Sequence, residues 1–146
     1  MYIDEYLLVN YKKSESLLSI EWKAESNRLS YENFKKRLSI IDAFTIKFKP
    51  KSILANCKHL ICNQYGGKTD LMQESVRNGK IKSAIEKLAI ITSKDKITDS
   101  FIKHTMLNSN LKNNYAKVFN KPIFAQSWLQ IDEKTPVFNN EYQISA

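Results

Sequence analysis

The period of apolar and polar positions changes several times along this 146-residue chain, and each change marks an element. Residues 6–11 (Tyr6-Leu7-Leu8-Val9-Asn10-Tyr11) and residues 16–23 are rich in strand formers, with the polar Lys12-Lys13-Ser14-Glu15 between them. In the second run Leu18, Ile20 and Trp22 alternate with Ser19, Glu21 and Lys23, the period-two signature of a half-buried strand. A four-residue polar connection between two such runs predicts a hairpin. The period then lengthens. Ser30 is placed to cap a helix in which Phe34, Leu38, Ile41, Thr45 and Phe48 recur at spacings of three and four. Pro50 ends it, because proline disfavours helical geometry at the residue before it.

Beyond Pro50, residues 51–56 read as a short strand. Thr69 or Asp70 can cap a second helix into the low 80s, which Gly79 weakens. Leu88-Ala89-Ile90-Ile91-Thr92 is an almost unbroken apolar run, as expected of a strand covered on both faces. A helix from Ser93 to about Asn108 follows, with Ile97 and Phe101 on one side and Ile102 and Met106 on the other. Tyr115-Ala116-Lys117-Val118-Phe119 is the last strand. Pro122 suits the first turn of a final helix whose Phe124, Ala125, Trp128 and Leu129 face inward. The expected fold is therefore α/β (α+β): a mixed five-stranded sheet, opened by a hairpin and continued by alternating strands and helices. Residues 1–131 form one domain and 132–146 a polar tail.

Composition narrows the function. The net charge of +8 comes from 20 lysines and three arginines, alongside 13 asparagines and 16 isoleucines. Lys, Asn and Ile share A/T-rich codons, so this mixture needs no anionic partner to explain it. Phosphate and base-edge recognition usually draws on the planar fork of arginine, so nucleic acid is not an expected partner. With three glycines in the whole chain, only Gly66-Gly67 lie together, which excludes the usual Gly-rich phosphate loops. No apolar run reaches the ~20 residues of a membrane span. The start, Met1-Tyr2-Ile3-Asp4-Glu5, lacks the basic and apolar regions of a signal peptide, so the expectation is a cytoplasmic protein with reduced thiols.

Candidate chemistry is sparse. Cys57, His59 and Cys62 are the most metal-like group, with Cys57 and His59 on one strand face, but a tetrahedral site needs a fourth ligand and no second pair exists. A buried cysteine and a surface histidine explain that stretch. Asp95 and Asp99 sit four apart, a turn from Lys103, and read as helix-start charge plus an i,i+4 pair. No catalytic set, metal cluster or cofactor motif is expected, so the protein reads as a non-enzyme. Tyr6, Tyr11, Tyr65 and Tyr115 are the aromatic residues least committed to a core. Tyr65 adjoins Gly66-Gly67 in a loop at the carboxyl ends of the strands, where open α/β sheets place ligands.

The order of elements, with Trp22 closing the second strand, Ser30 to Phe34 opening the first helix and Lys49-Pro50-Lys51-Ser52-Ile53-Leu54 entering the third strand, resembles the STAS domain. Lys87 to Lys94, Phe101 to Met106, Phe119 and Ala125-Gln126-Ser127-Trp128-Leu129 continue the likeness, which covers residues 6–130. The closer resemblance is to small bacterial STAS-like proteins of unassigned function. It implies a non-enzymatic regulatory module acting through protein contacts, with a partner protein or a second copy of itself as a homodimer. Asn63, Tyr65, Gly66, Gly67 and Thr69 are the contact surface that this implies. Phospho-regulated STAS antagonists carry an Asp-Ser-Ser-Gly-like turn; here Asn56-Cys57-Lys58 and Gly66-Gly67-Lys68-Thr69 stand instead, leaving Thr69 as the one hydroxyl near the phospho-site. The alternative reading is a domain that binds a small apolar or anionic molecule in a pocket between sheet and helices.

Overall fold

The computed structural model describes residues 1–61, 85–108 (105–108 by backbone alone) and 115–130. The elements are β1 (Tyr2–Ile3), β2 (Leu7–Lys12), β3 (Leu17–Trp22), α1 (Tyr31–Phe48), β4 (Ser52–Asn56), β5 (Lys87–Ile91), α2 (Lys96–Asn108), β6 (Ala116–Phe119) and α3 (Pro122–Leu129). They form one mixed sheet in the order β1-β2-β3-β4-β5-β6. The β1/β2 and β2/β3 pairs are antiparallel, and β3/β4, β4/β5 and β5/β6 are parallel.

The sheet thus has six strands rather than the expected five. The additional strand, β1, has two residues, too few to show a period. Asp4 fixes it in place. Its Oδ1 accepts from the N–H groups of Tyr6 and Leu7, at 2.7 and 2.8 Å, and its Oδ2 accepts from the Tyr2 hydroxyl at 2.6 Å. The hairpin forms as expected, with Val9 opposite Ile20 and Leu7 opposite Trp22. A short 3₁₀ turn over Lys13–Glu15 joins the strands and closes at Ser16 with φ 48°, a left-handed conformation.

Helix α1 begins where its cap predicts, since Ser30 Oγ accepts from the Asn33 N–H at 3.2 Å. It stops at Lys49, in the left-handed region at φ 46°, one residue before Pro50. The connections β3-α1-β4 and β5-α2-β6 both advance in the same direction across the sheet. Crossovers of one hand therefore place α1 and α2 on one face. Phe34 and Ile41 of α1 and Ile102 of α2 pack there with Val9, Ile20, Trp22, Ile53, Leu88 and Ile90. Helix α3 covers the opposite face, where Ala125 and Leu129 meet Leu17, Leu54, Ala89 and Ile91.

Several sequence expectations need correction. Ser93 precedes α2 instead of starting it: the Asp95 carboxylate accepts from the N–H and hydroxyl of Thr98, at 2.9 and 2.7 Å, and the helix runs from Lys96. Phe124, expected to face inward, is exposed, because α3 turns Ala125 and Leu129 toward the sheet. Strand β3 is buried along its whole length, Ser19 and Glu21 included, where alternation predicts a half-buried strand. The helix expected after Thr69 or Asp70, the side chain of Met106 and the tail 132–146 lie outside the described residues.

Candidate functional site

In the parallel register Glu21 of β3 stands opposite Asn56 of β4, Asn56 opposite Ile91 of β5, and Ile91 opposite Phe119 of β6. Strand alternation puts these four on the face that carries α3, near the carboxyl ends of their strands. Three of them wall a crevice of about 360 Å³. Glu21, Asn56, Ile91, Thr92 and Ser93 contribute to its lining, and so do Lys58, Lys94 and Lys121 from the loops leaving β4, β5 and β6. This is the place where open α/β sheets hold ligands, outside the carboxyl ends of the strands. Its volume falls within the range of small-molecule pockets.

The loops around the crevice are tied to one another by backbone and side-chain bonds. The Lys94 N–H donates to the Lys58 carbonyl at 3.0 Å, and Ser93 Oγ donates to the Leu60 carbonyl at 2.7 Å. The Cys57 N–H donates to the Ile91 carbonyl and the Thr92 N–H to the Phe119 carbonyl, both at 2.9 Å. Asn56 Oδ1 accepts the Lys58 N–H at 3.0 Å, a local turn that fixes the amide side chain. The exits of β4, β5 and β6 are anchored to one another, which holds their lining residues in a defined arrangement.

The lining is mixed in charge. Glu21 and Asn56 are 4% and 9% exposed, so both lining residues are buried. Three lysines line the same crevice. Pro122, the first residue of α3, contributes to the lining, and no side chain caps this helix: Lys121 occupies the N-cap position without a capping bond. An uncapped helix start leaves first-turn N–H groups as donors and carries a partial positive charge. Thr92 donates its hydroxyl hydrogen to Asp99, which leaves the hydroxyl lone pairs as acceptors. This bond is the chief cause holding the Asp99 carboxyl below its ordinary value; burial works against it, and Lys103 at 3.0 Å adds to it.

The residues that sequence reasoning singles out fare differently. Asn63, Tyr65, Gly66, Gly67, Thr69 and Cys62 lie outside the described residues. Cys57 is buried as expected, but β4 ends at Asn56, and Cys57 to Leu60 form a turn closed by the Leu60 N–H on the Cys57 carbonyl. Cys57 and His59 therefore do not share a strand face. No group of three or more His, Cys, Asp or Glu side chains that could hold a metal ion occurs among the described residues. Asp99 and Lys103 form the expected ion pair. Tyr11 stacks on Phe48 with ring centroids 4.5 Å apart, and Tyr6 lies under the Arg37 guanidinium. Tyr115 is buried, which pushes its phenol well above the ordinary value.

Glu21, Asn56, Lys94 and Lys121 escape sequence reasoning. A signal for the first two does exist: each is a polar residue near the carboxyl end of a strand that enters a parallel pair. Comparisons with protein-family models, with curated proteins and with solved structures give no match. No helix among the described residues is long and apolar enough to cross a membrane.

Proposed function

We propose that this protein is a non-enzymatic binding module whose ligand is a small polar molecule carrying an anionic group, held in the crevice at the carboxyl ends of β3 to β6. The observation that carries this reading is the row Glu21-Asn56-Ile91 opening into a crevice of about 360 Å³ that Lys58, Lys94 and Lys121 also line. Polar and charged groups in the lining favour a ligand that can hydrogen-bond to them over an apolar one, which would strip water from them. The lysines and the uncapped start of α3 favour negative charge on the part of the ligand nearest them. The resemblance to STAS domains supports a regulatory role for such a module, with ligand occupancy as the signal it reports.

Amide NMR during titration with inorganic phosphate, acetate and short carboxylates tests the proposal. Saturable shifts confined to Glu21, Asn56, Ile91 to Lys94, Asn120, Lys121 and Ile123 are expected, and the double variant Lys94→Glu/Lys121→Glu should abolish them. Shifts scattered over surface lysines, unchanged in that variant, would overturn the reading.

A further inference from the structure

We infer that the ligand of this crevice is a phosphate monoester of a small polyol, with its phosphoryl group at Lys94, Lys121 and the start of α3 and a hydroxyl between Asn56 and Thr92. The inference rests on the binding role proposed above and names the chemical class of that ligand. It begins from the charge of the lining. Glu21 and Lys58 carry opposite signs and both engage other groups of the protein, so together they add no net charge. Lys94 and Lys121 remain, and neither ammonium meets an ion-pair or hydrogen-bond partner among the described residues. Asp95 and Asp99 do not line the crevice: Asp95 accepts from Thr98, and Asp99 from Thr92 and Lys103. The positive excess of these two lysines matches a phosphate monoester, close to a dianion at neutral pH, better than a singly charged carboxylate.

The donor types point the same way. A lysine ammonium acts as a point charge, whereas the planar fork of arginine suits the two coplanar oxygens of a carboxylate. Lys94 and Lys121 come from the loops after β5 and β6, and the uncapped first turn of α3 adds the N–H groups of Ile123 and Phe124. Donors from separate elements suit the three oxygens of a tetrahedral phosphoryl group.

An independent observation describes the rest of the ligand. Asn56 lines the crevice at 9% exposure, and its Oδ1 is committed to the Lys58 N–H, which fixes the amide. Its Nδ2 has no partner among the described residues, so that nitrogen offers its hydrogens to a ligand acceptor. Thr92 is the converse: its hydroxyl hydrogen goes to Asp99, so in the lining it only accepts. A ligand hydroxyl both accepts and donates, and so answers Asn56 and Thr92 together, as an alkyl or ether group does not.

The test uses the full chain and two series of compounds. Glycerol 3-phosphate is set beside glycerate, propyl phosphate and glycerol, and glucose 6-phosphate beside glucuronate, hexyl phosphate and glucose. Each set removes in turn the phosphate, the hydroxyls and the charge. Binding is read from the amides of Ile91 to Lys94, Asn120 and Lys121. At least one of the two phosphorylated polyols should bind about tenfold or more tightly than all three of its matched compounds. Lys94→Gln/Lys121→Gln, at two exposed positions, should remove that lead over the carboxylate, with circular dichroism unchanged. Thr92→Val should lower the phosphorylated polyol to the affinity of the alkyl phosphate; the wild-type comparison stands even where that variant does not fold. Sedimentation with phosphatidic acid vesicles, competed by glycerol 3-phosphate, would support a lipid source of the ester, and its absence a soluble one. In both series, a carboxylate or alkyl phosphate binding as tightly as the phosphorylated polyol would overturn the inference and leave the anionic-ligand reading intact. Glycerol and glucose binding equally well, unaffected by the lysine variant, would overturn both, as would no saturable shift with any of these compounds and none with the anions above.

Discussion

Arg37 Nη2, on α1, lies 3.0 Å from Asp4 Oδ2, in the turn between β1 and β2. Both side chains are largely buried, at 14% and 20% exposure, and the same guanidinium covers the Tyr6 ring at 4.8 Å. Lys23 Nζ donates to the Asp4 carbonyl at 2.9 Å. The first six residues are thereby clasped to the first helix and to the exit of β3. Removing Arg37 leaves the Asp4 carboxylate with its neutral donors but without its nearby countercharge. Arg37→Met should cost about 2–3 kcal/mol in urea unfolding. Arg37→Lys should recover only part of that, since an ammonium lacks the planar fork that stacks on Tyr6. Full stability in Arg37→Met would count against the clasp.

The same cluster makes stability depend on acid. Burial alone would raise the Asp4 carboxyl, but the Tyr2 hydroxyl, the Tyr6 and Leu7 N–H groups and Arg37 together hold it below its ordinary value. The unfolded chain therefore takes up this proton at higher pH than the folded one. The stabilisation is complete above the unfolded carboxylate value of about 3.9, and is lost as pH falls through it toward the folded value. Asp99, lowered chiefly by the Thr92 hydroxyl, acts in the same direction. Asp4→Asn should be less stable than wild type at about pH 6 and should lose less further stability by about pH 3. Parallel pH profiles for the two proteins would contradict this assignment.

Thr92 and Asp99 link the crevice wall to α2. Thr92→Val keeps the shape and removes the donor. The Asp99 carboxyl should then titrate closer to its ordinary value, measured by carbon NMR, with stability reduced by about 1 kcal/mol. An unmoved titration would mean that Lys103 alone sets the Asp99 carboxyl.

Lys87, on β5, holds the end of α3: its Nζ donates to the Trp128 carbonyl at 2.9 Å and lies 5.1 Å from the centre of the Trp128 ring. The contact both satisfies a C-terminal helix carbonyl and places a cation where the helix end is negative. Lys87→Met preserves the aliphatic stem and loses both effects. It should cost about 1–2 kcal/mol and speed amide exchange in α3 relative to α1. Equal exchange in the two helices would show that the contact does not hold α3.

Much of the fold was legible in the chain because its signals are local. Ser30 and Pro50 bracket α1 within its own segment, and the apolar run Leu88 to Ile91 announces a strand covered on both sides. Strand β1 was not legible, since Tyr2 and Ile3 become a strand only through the clasp that Asp4 makes with Tyr2, Tyr6, Leu7 and Arg37. Phe124 shows the same limit at a helix: its spacing suits a buried stripe, yet the way α3 lies on β5 and β6 leaves it in solvent.

By itself, the sequence determined where the described strands and helices other than β1 lie, to within a few residues, because period, caps and prolines act over a few neighbouring residues. The tertiary structure alone decided that Glu21 is buried, that it faces Asn56 across 35 residues of chain, and that lysines from three separate loops line the same crevice. The reason is physical. Alternation along β3 says that Glu21 and Trp22 point to opposite faces, but whether the second face meets water depends on strand pairing and on where α3 packs. Those are non-local contacts, and the candidate site is made of them.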